Sequence, residues 1–265
     1  GPQGPQGEPG GQYVPRVAVT SARTLTEADR GAFLDCNGTF TVTAPAGGAV
    51  AAGWLVRLRN SGAGVVTLSA SSGLIEGLAS LRMYPGEAFE LHCDGTVFRT
   101  VGRARGLLPL VSVALSSASA ASVDCTLFAG DTEIDALRIE FSGVTFSAAT
   151  LFRFVASAGG AWGAVLLQGT YSGIGTATMG ADSSAAAYVQ FSNSSTEGPW
   201  AGVVDVTGLR VGKPSFVRAA AVAMTTGRNG HWLAHTLPAS LDGVRLAGSA
   251  GSITGGEIRF YGVRS

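Results

Sequence analysis

Charge is what this sequence has least of. Asp, Glu, Lys and Arg make up 14% of its 265 residues, Lys213 is the single lysine, and the formal net charge is zero. No basic run or stripe appears along the chain, so the sequence offers no electrostatic footprint for nucleic acid or an anionic membrane. The scarcity of lysine fits GC-rich codon usage and carries no functional weight. Long hydrophobic runs are missing as well. None approaches the ~20 residues of a membrane-spanning helix, and membrane insertion is not expected. Glu, Lys and Leu at helical spacing are absent, which excludes long amphipathic helices. No secretory signal is visible.

Cysteine is reduced to Cys36, Cys93 and Cys125, an odd and sparse set that makes no disulfide framework. Cys36 and Cys93 stand in matching contexts, LDCNGTF and LHCDGTV. Two readings remain, neighbours in space or two separate buried thiols, and the second is the expectation. No Cys/His spacing points to zinc. HWLAH (His231 to His235) has the two-histidine spacing of zinc proteases but lacks their glutamate, and in a strand its histidines lie about 13 Å apart. No GxSxG elbow is present, and SGIGTATMG (Ser172 to Gly180) has the wrong glycine spacing for a nucleotide loop. The acidic residues are too scattered to choose the carboxylate pair of a glycosidase. Their densest group, DTEID (Asp131 to Asp135), reads as a solvated turn. The expectation is a protein without catalytic residues, cofactor or metal site.

What fills the space is Gly, Ser, Thr and Ala, in a chain that is 46% hydrophobic. Such a composition belongs to many short strands joined by tight turns. The start differs: GPQGPQGEPG has Gly1, Gly4, Gly7 and Gly10, the period of collagen, whose three chains need glycine at a crowded axis. Three triplets cannot hold a triple helix by themselves. The stretch, assigned to residues 1–12, reads as the end of a longer stalk and implies a homotrimer, with a flexible linker as the alternative.

Residues 13–105 read as a small β-module. TFTVTAP (Thr39 to Pro45) and WLVRLRN (Trp54 to Asn60) alternate as half-buried strands do, and GVVTLSA (Gly64 to Ala70) follows a Ser-Gly-Ala turn. Asp94-Gly95 predicts a type I′ hairpin. In TLTEADRG, Thr26 is placed to cap a single helical turn that Gly31 ends. RARGLLP (Arg103 to Pro109) is the expected linker. Residues 106–265 hold about ten strand candidates between Gly- and Ser-rich turns, among them ALRIEFSG (Ala136 to Gly143), SFVRAAAVAM (Ser215 to Met224) and GEIRFYGV (Gly256 to Val263). Their spacing predicts a β-sandwich of the jelly-roll kind. The fold class expected is all-β.

The succession TLTEADRGAFLDCNGTFTVTAP, GWLVRLRNSGAGVVTLSASSGLIEG and SLRMYPGEAFELHCDGTVFRTVGR resembles a β-module of tailed-phage fibres. That pattern has a TLT-x-AD-x-G opening, a TVTLP-like strand, a hairpin of the form G-x-x-V-x-I-x-N-x-G-x-G-x-V-T, and a closing PGE and DGT. The match covers most of residues 17–103, and its motif residues are turn and core residues. The close of the chain is similar to the end of a sandwich domain at fibre tips, with Ile253, Gly255, Gly256, Ile258, Phe260, Tyr261 and Gly262 in the pattern. The resemblance implies a virion or a phage-derived particle, exposed at the host envelope. An upstream stalk would join baseplate, tail or capsid proteins.

Recognition chemistry gathers around aromatic residues beside turns. Arg228, Asn229, His231 and Trp232 lie in one short stretch, and Trp200, Trp162 and Tyr171 supply further rings. An indole face stacks on the apolar side of a sugar while Arg, Asn and His bond its hydroxyls. The expected function is a trimeric fibre or spike tip that binds a bacterial surface receptor, a polysaccharide. The alternatives are a glycan-cutting tailspike and a purely structural decoration or coat protein.

Overall fold

In a computed structural model the chain is described over residues 16–104, 106–115, 119–131, 133–148, 152–158, 160–162, 167–174, 188–190, 199–209, 216–224, 229–236, 241–248 and 251–264. The protein is all-β. Among the described residues the only helical element is a single turn of 3-10 helix at Glu27–Asp29, and no helix is long and apolar enough to cross a membrane. The chain divides into two compact units, Gly1–Ala104 and Arg105–Ser265.

The first unit contains β1 (Arg16–Val19), β2 (Arg23–Thr24), β3 (Phe33–Cys36), β4 (Thr41–Ala44), β5 (Trp54–Asn60), β6 (Val66–Ala70), β7 (Ser80–Met83), β8 (Ala88–Cys93) and β9 (Phe98–Val101). Through β6, odd and even strands alternate between two sheets. β1, β3 and β5 run parallel in one, continued antiparallel by β8 and β9; β2, β4 and β6 run parallel in the other, closed antiparallel by β7. The backbone therefore winds as a short two-sided coil whose turns stack Leu34 on Leu58 and Val42 on Leu68. Each of these side chains is buried, and burial stabilises by about 1.5–3 kcal/mol apiece.

This winding overturns the expected hairpin between residues 54–60 and 66–70. β5 and β6 lie in different sheets, because the segment between them turns a corner of the coil rather than reversing on itself. Asn60 holds that corner: its buried amide donates to the Gly64 and Met83 carbonyls at 2.7 and 2.9 Å and accepts from the Gly62 N–H at 3.0 Å. The corner below, at residues 37–39, leaves no room for a side chain. A Cβ on Gly62 would fall 2.5 Å from Asn37 Oδ1, and one on Gly64 2.7 Å from the Gly38 carbonyl. The other motif residues are structural in the same sense. Asp29 is buried and accepts from the Thr26 N–H at 2.8 Å, closing the 3-10 turn. Glu87 is buried and accepts from the Tyr84 N–H at 2.6 Å across the Pro85-Gly86 turn.

Two further expectations need adjusting. β8 and β9 do pair as a hairpin, but their loop is Asp94 to Val97, not a two-residue turn. Asp94 Oδ1 accepts from the Thr96 and Val97 N–H groups at 2.9 and 2.8 Å, which keeps Asp94 itself out of positive φ. A turn with both central residues at positive φ occurs instead at Glu76 (52°) and Gly77 (82°), as a type I′ turn requires. Cys36 and Cys93 are buried free thiols. They pair with Asn60 and Trp54, the two ends of β5, so roughly 20 Å of strand separates them, far beyond disulfide reach.

The second unit contains β10 (Gly106–Ala114), β11 (Ser122–Cys125), β12 (Ile134–Phe146), β13 (Phe152–Ala158), β14 (Ala161–Trp162), β15 (Leu167–Ile174), β16 (Tyr188–Gln190), β17 (Trp200–Thr207), β18 (Phe216–Ala223), β19 (Asn229–Thr236), β20 (Gly243–Gly248) and β21 (Ile253–Arg264). Two antiparallel sheets result. The larger has the order β10-β21-β12-β17-β18-β19-β15; the smaller has β11-β20-β13, with β14 and β16 both pairing β13. The supposed linker at 103–109 is already strand from Gly106. Pro109 is tolerated there because β10 is an edge strand and its register shifts after Pro109.

The two sheets meet through aromatic rings. Phe152 of the smaller sheet packs edge-on against Phe141 (centroids 5.1 Å apart) and tilted against Trp200 (6.4 Å), both on the larger sheet. Trp200 is 3% exposed. Its ring is thus part of the core between the sheets, which corrects its assignment as a receptor contact.

Candidate glycan-binding face

β14 is only two residues long, and it carries Trp162 along the edge of β13, with Ser157 opposite. The indole is half-buried. Its neighbour on the sheet is Gly243, where a Cβ would sit 2.9 Å from Trp162 Cη2 and 2.6 Å from Ser157 Oγ. The missing side chain is what lets the ring lie against β20.

Arg245 then closes over the ring, its guanidinium carbon 4.1 Å from the indole centroid. A cation at this distance from an indole is attracted by the ring's negative face. The same guanidinium is held from the other side: Nε and Nη2 donate to the two carboxylate oxygens of Asp124 at 2.8 and 2.6 Å, across the directly paired strands β11 and β20. Burial pushes the Asp124 carboxyl up, but the Arg245 and Ser122 hydrogen bonds outweigh it and hold the group below the usual carboxylate range. Asp242 completes the border. It accepts from Ser157 Oγ at 2.5 Å and from the Gly160 N–H at 2.6 Å, which fixes the turn that presents β14. Arg245 covers one face of the indole, so what the cluster leaves open is the rest of the half-buried ring and the guanidinium, carboxylate and hydroxyl groups that border it.

The other expected site residues distribute differently. Arg228 lies outside the described residues. Asn229, His231 and Trp232 are on β19, and Tyr171 on β15 pairs directly with Trp232. Trp232 also pairs with Ala219, in a row that continues through Val204, Ile139 and Phe260, whose side chains are buried. His231 lies one row away, with Ala220, Val203, Glu140 and Arg259, none of which is buried.

A second concavity opens on the larger sheet, a groove of about 300 Å³ lined by Glu140, Phe141, Ser142, Gly202, Val203, Glu257 and Arg259. Both of its carboxylates are engaged. Glu140 accepts from Arg138 at 3.0 Å, and Glu257 from Arg259 at 2.8 Å on each oxygen. Among the described residues no group of three His, Cys, Asp or Glu side chains is placed to hold a metal ion.

Sequence reasoning missed Asp124, Asp242, Gly243 and Arg245. Asp124 and Arg245 are 121 positions apart and meet only because β11 pairs β20, so no local spacing carries a signal for them. No protein family, characterised protein or solved structure matches the chain.

Proposed function

We propose that this chain is the outer part of a homotrimeric fibre or spike of a phage-like particle and binds a polysaccharide on a bacterial surface. The observation that carries the reading is Trp162, half-buried, seated on Gly243 and clamped by an arginine that Asp124 holds in turn. A ring immobilised before the ligand arrives loses little freedom on binding, which favours weak stacking chemistry of the kind sugars offer.

Strand order supports a jelly-roll reading of the second unit. Taking β10, β11, β12, β13, β16, β17, β20 and β21 as eight successive strands, one sheet has the first, eighth, third and sixth side by side and the other has the second, seventh, fourth and fifth. That is the double Greek-key arrangement of a jelly roll. β14 and β15 are then inserted between its fourth and fifth strands, and β18 and β19 between its sixth and seventh. The glycine-every-third start supports three-fold assembly, and three copies of one weak site multiply affinity when they engage one surface. A glycan-cutting activity has one observation in its favour, the two glutamates Glu140 and Glu257 sharing a groove.

Adsorption of the purified chain to whole bacteria, with capsule intact and stripped, tests the reading. Trp162→Ala is expected to lower adsorption by about tenfold or more, with the unfolding transition unchanged, and stripping the capsule to abolish it. Unchanged adsorption by the variant would overturn the site. Release of reducing ends from the capsule would transfer the argument to the Glu140 groove.

A further inference from the structure

The sequence contains no basic stripe, yet the coil of the first unit builds one. Strand pairing aligns Arg16, Phe33, Arg57, Glu90 and Val101 in one row of the five-stranded sheet, with Ala18, Asp35, Arg59 and Ala88 in the row on one side. On the other side lie Leu55, His92 and Arg99. These rows form the outer face, since the alternate residues Leu34, Cys36, Val56, Leu58, Leu91 and Phe98 are buried. Four guanidinium groups stand there against two carboxylates.

The carboxylates do not neutralise the face evenly. Asp35 is taken by Arg16, whose Nε and Nη2 donate to Oδ2 at 3.0 and 2.5 Å. Glu90 is taken by Arg57 at 2.8 Å and also faces His92 at 3.3 Å. Arg59 and Arg99 are exposed and make no hydrogen bond to a described residue, but Arg59 lies directly opposite Asp35 and its charge helps hold that carboxyl below its usual range. Asp94 lies near Arg99, but its carboxylate is occupied by the N–H groups of its own turn. These two arginines are two strands and four residues apart, about 16 Å between Cα atoms. No small anion spans that distance, whereas an extended polyanion does; Glu90 lies midway between them, with its hydrogen-bond donor Arg57 beside it on β5.

We propose that this outer face binds an acidic polysaccharide, its carboxylate or phosphate groups bridging Arg59, Arg57 and Arg99. A guanidinium fork is suited to both groups, since each accepts two parallel hydrogen bonds. Nucleic acid is the poorer fit, because base stacking needs exposed aromatic rings and the two rings of this face, Phe33 and His92, are half-buried. The inference rests on the surface-glycan reading above and specifies an acidic ligand, held on a second surface distinct from Trp162.

The test is direct binding by the full chain, without cells, of four labelled probes: alginate, inorganic polyphosphate, neutral dextran and a single-stranded DNA oligonucleotide. Alginate, polyphosphate or both are expected to bind, with affinity falling about 20- to 150-fold between 50 and 200 mM salt, as three or four released counterions require. The double substitution Arg59→Gln and Arg99→Gln is expected to lose about tenfold or more and to flatten that salt dependence. Arg59→Lys with Arg99→Lys retains the charge and is expected to preserve the salt dependence, which separates lost contacts from lost folding. Absence of binding to both acidic probes at 50 mM salt, equal binding of dextran, tighter binding of DNA, or an unaffected double variant overturns the proposal. A chain that adsorbs to cells through Trp162 yet ignores both polyanions removes this inference alone; one that binds polyanions but no cells removes the receptor reading alone.

Discussion

Cys36 and Cys125 illustrate how burial alone sets the chemistry of a residue. Desolvation pushes the Cys36 thiol up to about 11 and the Cys125 thiol up to about 12, because neither environment supports a thiolate. The thiolate is the reactive form, so both residues are inert near neutral pH. The sign of the linkage follows. The folded chain retains these protons where the unfolded chain, with thiols near 8.5–9, releases them. Their contribution is present below that range and is lost as pH rises towards 11 and 12. Labelling with a thiol reagent at pH 8 is expected to be slow in the native protein and fast after unfolding, and thermal stability is expected to decline between pH 9 and 11. Rapid native labelling of Cys36 or Cys125 would contradict the burial argument. Arg245 shows the opposite case, a charged group made useful by company: Asp124 fixes its plane and Trp162 lies beneath it.

At the scale of elements, the corner between β5 and β6 decides the first unit. A chain that reversed there would pair β5 with β6; Asn60 instead bonds the Gly64 and Met83 carbonyls and sends β6 into the other sheet. Asn60→Ala would leave one buried and two partly buried backbone groups without their partner, a loss of about 2–4 kcal/mol. The first unit's melting temperature is expected to fall by roughly 10–20 °C. Asn60→Asp, which retains the acceptor but not the donors, is expected to fall at least as far; calorimetry showing a drop under 3 °C for both would remove the corner's role. The alternation in WLVRLRN was legible in the sequence, since Trp54, Val56 and Leu58 are buried and Arg57 and Arg59 exposed. Which strand lies beside it was not. Alternation reports a face and says nothing of the partner, and the Ser-Gly-Ala run fits a hairpin turn as well as a coil corner.

At the scale of the whole molecule, the two proposals place ligand chemistry on both units, and three-fold assembly would multiply each. Sedimentation of the full chain is expected to give three times the 26.7 kDa chain mass, and a clean monomer would remove the avidity argument while leaving the single-site chemistry intact. A chain of zero formal net charge has no net-charge attraction to draw a polyanion from a distance, so binding through the arginine face is expected to depend on close contact and to be sensitive to salt.

The sequence by itself determined the all-β class, the positions of many strands and the buried state of residues such as Trp54 and Leu58. These follow from local periodicity, and local periodicity is written in consecutive residues. Tertiary structure alone decided which rings are available and where charge collects. Trp162 and Trp200 look alike in the sequence, each an indole beside a glycine-rich turn. One is half-buried beneath Arg245 and the other is enclosed between two sheets. Arg16, Arg57, Arg59 and Arg99 span 83 positions with no basic run among them, and strand pairing sets them on one face. Contacts of that kind depend on which strands become neighbours, a property of the folded chain as a whole.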